Sequence, residues 1–145
     1  MRILTVRQPW ANAIIHGGKN VENRKINIAG DYRGPIAIHA AKNIGTATEH
    51  AVAVKDIFQI SGRTFPIEPR GVIIGIVDLT GVHRLSHDGK EKHKCSPWAI
   101  DQPYICHLQL ENPRPLAAPI PCTGALALRT ITDPTLLAQL GQAHE

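Results

Sequence analysis

The sequence predicts an α+β fold: a small, mostly antiparallel β-barrel with helices packed outside it. Three observations carry that prediction. Short apolar or alternating runs at 3–6, 36–41, 72–79, 104–110 and 124–130 read as strands. Helical patterns at 10–15, 46–60 and 133–140 are fewer than the strands. Strand–helix–strand alternation is scarce, which argues against a doubly wound parallel sheet. With 145 residues, no internal repeat and no linker, residues 1–145 are expected to form one domain able to bury its own core.

The elements follow from their residues. Ile3-Leu4-Thr5-Val6 is a first, apolar strand. Pro9 suits a helix start, where its missing N–H costs nothing, and Gly17 or Gly18 supplies the left-handed cap. A strand beginning near Val21 would set Glu22 and Arg24, two apart, on one face. Residues 29–35 form a turn, and 36–41 a buried strand. Thr46 and Glu49 match a capping box that opens a helix to about Ile60, with Ala51, Val54 and Phe58 at helical spacing and Ser61-Gly62 as its stop. Pro66 and Pro69 make 64–70 a loop. Residues 72–79 form the strongest strand, apolar on both faces and interrupted only by Gly75 and Asp78. Residues 86–97 read as a long polar loop, and 104–110 as a half-buried strand. Four prolines between Asn112 and Pro121 confine that segment to edges and turns. Residues 124–130 read as the closing strand, and Asp133-Pro134 caps a last helix that Gly141 stops.

Composition narrows the function classes. A hydrophobic share of 43% with 19% charged residues is that of a globular chain, and no apolar run approaches the ~20 residues that span a bilayer. The N-terminal residues lack a secretory pattern, so a cytoplasmic location and no membrane partner are expected. Three unpaired cysteines, Cys95, Cys106 and Cys122, fit a reducing compartment. Without a Cys-x-x-Cys pair, no metal site and no cofactor are expected. The net charge of +4 favours polyanions modestly.

The organising stretch is Gly17-Gly18-Lys19-Asn20-Val21-Glu22-Asn23-Arg24, preceded by Gln8-Pro9-Trp10. The spacing Gly-x-Lys-x-x-Glu-x-Arg brings a cation, an acid and a second cation to one rim, a plausible phosphate or nucleobase site. A solvated turn with a cross-strand ion pair would use the same letters. The stretch is not a phosphate loop: Ala13 stands where that motif needs glycine, and Asn20 where it needs Ser or Thr. His39 ends a buried strand and has a structural reading as well as a catalytic one. Asp78, a carboxylate in an apolar strand, needs partners or a site mouth. The mixed-sign run 88–94 is a solvated loop or an accessory polyanion contact.

Taken together these residues resemble the ASCH domain family, related in fold to PUA domains. The resemblance rests on Leu4 to Ala11, Ile14-Ile15, Gly18 to Arg24, Tyr32 to Lys42, Gly71 to Val77 and Gly124 to Leu128. It implies a PUA-like barrel with a cleft beside the Gly-x-Lys-x-x-Glu-x-Arg turn, and RNA or a nucleotide as partner. Lys19, Arg24, Arg33 and Lys42 are then expected on phosphates, Trp10 or Tyr32 under a base, and Glu22 on a base amino group, with Gln8 and His39 along the same cleft. Two catalytic alternatives place Lys19, Glu22 and Asp78 in chemistry. One is RNA cleavage with Glu22 or His39 as base and Lys19 at the phosphorus; the other is hydrolysis of an N4-acylcytidine amide with Lys19 as base and Glu22 or Asp78 polarising the substrate. The family's amidohydrolases carry a threonine nucleophile three residues after the motif lysine; here that residue is Glu22, and a carboxylate does not replace a hydroxyl nucleophile. A protein-interaction domain without catalysis is the remaining alternative.

Overall fold

The computed structural model describes residues 1–144. The elements run β1 (Arg2–Val6), α1 (Trp10–His16), β2 (Val21–Arg24), β3 (Gly34–Ala40), α2 (Ala47–Ser61), β4 (Val72–Arg84), β5 (Cys106–Pro121), β6 (Leu128–Thr130) and α3 (Pro134–His144). The six strands form one sheet in the order β2-β5-β4-β3-β1-β6. Only β1 and β3 pair in parallel; every other neighbour is antiparallel. The sheet curls into a half-barrel, an α+β architecture of the PUA-like kind. Among the described residues no helix is long and apolar enough to cross a membrane.

The sheet is buried on both faces. Leu4, Val6, Ile36, Ile38, Ile74 and Val77 pack with Ala11, Ile14 and Ile15 of α1. The alternate residues Ile3, Ala37, Ile73 and Ile76 pack on the opposite side with Leu140 of α3. This explains the unbroken apolar runs of β3 and β4: successive residues serve opposite layers, and the register shift of β4 around Gly75 sends Ile74 and Ile76 to different sides. Each fully buried aliphatic side chain contributes roughly 1.5–3 kcal/mol. Gly75 is the gap through which α1 approaches, since a Cβ there would lie 2.6 Å from Ile15 Cδ1 and 2.9 Å from the Arg114 carbonyl oxygen.

Several boundaries differ from the sequence reading. β4 continues past Leu79 to Arg84 because β5 supplies hydrogen-bonding partners along that length. β5 starts at Cys106, after Tyr104 takes a left-handed φ of 61°. The proline-rich stretch stays in β5 as an edge: β2 pairs only with Cys106 to Gln109, so no ladder on that side needs the missing N–H groups. The closing strand shrinks to β6, with Ala127 at φ 56° just before it. Gly141 lies inside α3 rather than ending it. In α2 the capping box of Thr46 and Glu49 forms with both bonds present, and Gly62 closes the helix in a left-handed conformation. Its buried residues are Ala53 and Ile57, so the inward face is rotated away from Ala51 and Phe58.

Candidate functional site

The charged stretch forms where α1 hands over to β2. The amides of Gly17 and Lys19 both donate to the Ala13 carbonyl, at 2.9 and 3.0 Å, while Gly18 takes a φ of 74°. That tight reversal turns the Lys19 side chain inward, leaving the residue 3% exposed. Lys19 Nζ donates to the Val21 carbonyl and, at 2.9 Å, to Glu22 Oε1. It also lies 5.4 Å from the centroid of the Trp10 ring, within cation–π reach. Arg24 follows Glu22 on the same face of β2, and its Nε and Nη2 both donate to Glu22 Oε2, at 3.1 and 2.8 Å. Arg24 Nη2 then crosses to the carbonyl of Thr5 on β1 at 3.1 Å.

Glu22 therefore sits between two basic side chains. Burial pushes its carboxyl up, but the charges of Lys19 and Arg24 and their hydrogen bonds outweigh burial and hold it below the usual carboxylate range. The result is a fixed ion triad carrying one net positive charge, desolvated on the lysine side and open on the arginine side.

The triad faces a cavity of about 650 Å³. One wall is β2; the other is the end of β1 with residues 125–127. These strands are not neighbours in the ladder order, so the cavity is the open seam of the half-barrel. Trp10 and Ile100 add apolar surface, and Leu126, 94% exposed, stands at the mouth. Arg7 and Lys25 place exposed cations on the lining, and Asp56 of α2 adds a carboxylate. Arg7 is engaged by Glu49 at 2.7 Å.

Of the residues the sequence nominates, Trp10, Lys19, Glu22 and Arg24 come together in this cavity. The others do not line it. Gln8 is buried: its Nε2 donates to the Pro69 carbonyl at 2.9 Å and its Oε1 accepts the Asn12 amide at 3.0 Å, tying α1 to the 66–69 loop. Tyr32 donates its hydroxyl to the Pro35 carbonyl at 2.6 Å and carries the Arg2 guanidinium over its ring. Arg33 is folded onto the carbonyls of Gly30 and Tyr32. His39 and Lys42 line a separate depression beyond Thr5. There His39 Nδ1 meets Thr5 Oγ1 at 3.2 Å and Nε2 meets the Cys122 carbonyl at 2.7 Å; burial holds its pKa below the ordinary value. Asp78 has the partners its position demanded, Arg114 at 3.0 Å and Asn112 at 3.3 Å. Sequence reasoning missed Arg7, Lys25, Asp56, Ile100 and Leu126 as lining residues. Arg7 and Lys25 flank the motif and their charge was the available signal; Ile100 and Leu126 arrive from distant loops without a local one.

The sequence model of the ASCH domain matches residues 4–118. In fold the chain is similar to the crystal structure of ASCH from Zymomonas mobilis, with a TM-score of 0.56 at 13% identity over 97% of this chain and 93% of that one. A tyrosine-to-phenylalanine variant of the same bacterial protein gives 0.58 at 14% identity, over 97% and 96% of the two chains. A serine-to-alanine variant gives 0.57 at 13%, over 97% and 94%. No curated protein sequence matches.

Proposed function

The chain belongs to the ASCH domain family, and from that premise we propose that its seam cavity binds RNA or a nucleotide through one unpaired base. The supporting observation is a buried, cation-clamped carboxylate in a cavity of about 650 Å³ with exposed Arg7 and Lys25 on its lining. That volume is within the range of small-ligand sites, about 300–1,000 Å³. A base entering the seam meets Glu22 as hydrogen-bond acceptor, Arg24 as donor, and the apolar surfaces of Trp10 and Leu126. Phosphate falls to the exposed cations. Lys19, enclosed by Val21, Glu22 and Trp10, instead holds the carboxylate in place.

Hydrolytic readings gain less support. A glutamate held ionised by two cations is a weak proton acceptor, and His39 and Asp78 lie outside the cavity. The test is a filter-binding titration of a short single-stranded RNA against salt. Replacing both Arg7 and Lys25 by alanine is expected to weaken binding and flatten the log–log salt slope by about 1.4, at ~0.7 per single-strand phosphate contact. An unchanged slope, or no binding by the parent protein at low salt, would remove the proposal and leave a protein-interaction domain.

A further inference from the structure

A second cluster lies on the β4–β5 ladder under the 86–101 loop, and none of its members lines the seam cavity. His83 and His107 are direct register partners on β4 and β5, with rings edge to face at 5.7 Å. The 86–101 loop lowers Glu91 and Cys95, four residues apart, onto that pair. Glu91 Oε1 lies 3.2 Å from His107 Nδ1, and Oε2 lies 3.2 Å from His83 Nδ1. Cys95 Sγ lies 3.6 Å from His107 Nδ1 and 3.8 Å from Glu91 Oε1. One ligand atom from each of the four residues falls within 4.8 Å of all the others.

The hydrogen bonding fixes which ring atom of His107 faces the cluster. Its far nitrogen, Nε2, lies 2.8 Å from the Ile100 carbonyl. A carbonyl only accepts, so Nε2–H is the donor there and Nδ1 is the atom turned to Glu91 and Cys95. The Glu91 side chain it meets is only 2% accessible. A backbone carbonyl bonded to the far nitrogen is also the usual orienting contact of a metal-bound histidine. The shorter separations, 3.2 to 3.8 Å, agree with this, and the widest, within 4.8 Å, would close as the side chains turn onto an ion. Tetrahedral zinc bonds of roughly 2.0–2.3 Å imply ligand–ligand edges of ~3.3 Å between nitrogen or oxygen atoms and ~3.6 Å to sulfur.

We propose that His83, Glu91, Cys95 and His107 form a structural zinc(II) site. Four protein ligands of mixed nitrogen, sulfur and oxygen type suit this borderline ion and leave no open coordination position. The ion fastens the 86–101 loop to the hairpin. That loop supplies Ile100 to the seam cavity, and its Trp98 carbonyl accepts Asn23 Nδ2 of β2 at 2.9 Å. Zinc therefore sets one wall of the cleft without touching a ligand there, and its presence does not depend on what the cleft binds.

The test uses the full chain, stripped with a chelator and titrated with cobalt(II) and then zinc(II). One equivalent of cobalt is expected to give tetrahedral visible bands with a thiolate charge-transfer band; zinc is expected to bleach both and raise the melting temperature. Cys95→Ser should lose the charge-transfer band, and both Cys95→Ser and His83→Ala should bind zinc at least ~10-fold more weakly, the loss that even outer-shell partners carry. Cys95 and His83 are exposed, so these variants are expected to keep the parent's metal-free melting curve. The exposed His93→Ala should behave as the parent. Absence of bands at one equivalent, a charge-transfer band that survives Cys95→Ser, or an equal loss in His93→Ala would overturn the assignment.

Discussion

Glu22 and Glu91 are both carboxylates withdrawn from solvent, with side chains 11% and 2% accessible. Their surroundings differ in kind. Glu22 is met by Lys19 and Arg24, supplied from within two or three positions along the chain. Glu91 is met by two imidazoles and a thiol, with no lysine or arginine ion-paired to it among the described residues. A buried carboxylate paired with a lysine and an arginine is held by hydrogen bonds from its own chain neighbours. One that converges with two imidazoles and a thiol has the mixed donor set of a metal site. The first arrangement suits a fixed recognition surface, the second a metal-dependent fastening.

The comparison can be broken most severely at Lys19. Lys19→Met leaves Glu22 with Arg24 alone, and is expected to cost about 3 kcal/mol in urea unfolding, the low end for breaking a buried pair. Combining it with Glu22→Leu should recover most of that loss, because no charge is then stranded.

Next in size is the contrast between two amide substitutions. Glu22→Gln strands part of the Lys19 charge and is expected to lower stability by about 1–3 kcal/mol. Glu91→Gln in the metal-free protein should be near neutral, since the amide keeps the shape of the side chain and both donor and acceptor atoms toward the two rings. The same variant should lose its thermal response to zinc. Equal destabilisation by both would mean that Glu91 is balanced by a permanent positive charge after all.

A smaller effect appears with pH. The Glu22 carboxyl sits below its ordinary value of 4.5 in the fold, so the unfolded chain binds its proton first. Its contribution is complete above about pH 4.5 and is lost as pH falls through the lower, folded value. Melting temperatures of the parent should therefore fall more steeply on acidification than those of Glu22→Gln. The exposed Arg7–Glu49 pair gives the smallest change. Although 2.7 Å apart, both side chains are about half exposed, and Arg7→Ala should leave the melting temperature within error.

How much could be read in advance follows the same division. The triad spans six positions across one helix end and one strand, so glycine placement and strand periodicity were enough to bring its members together. The capping box of α2 and the two-faced burial of β3 and β4 are local in the same way. The zinc ligands span 25 positions, from His83 to His107, and meet only through the β4–β5 register. No Cys-x-x-Cys or other local spacing signals them. Ile100 and Leu126 reach the cavity by comparable long-range folding. The sequence reading also ended β4 at Leu79; pairing with β5, which composition does not signal, carries it on to Arg84.

The Arg24 side chain bridges the seam where a further strand would otherwise have to sit. One guanidinium therefore ties the two sides of the groove together where no backbone pairing does. A shorter or longer residue at this position would narrow or widen the opening while leaving every rung of the sheet intact.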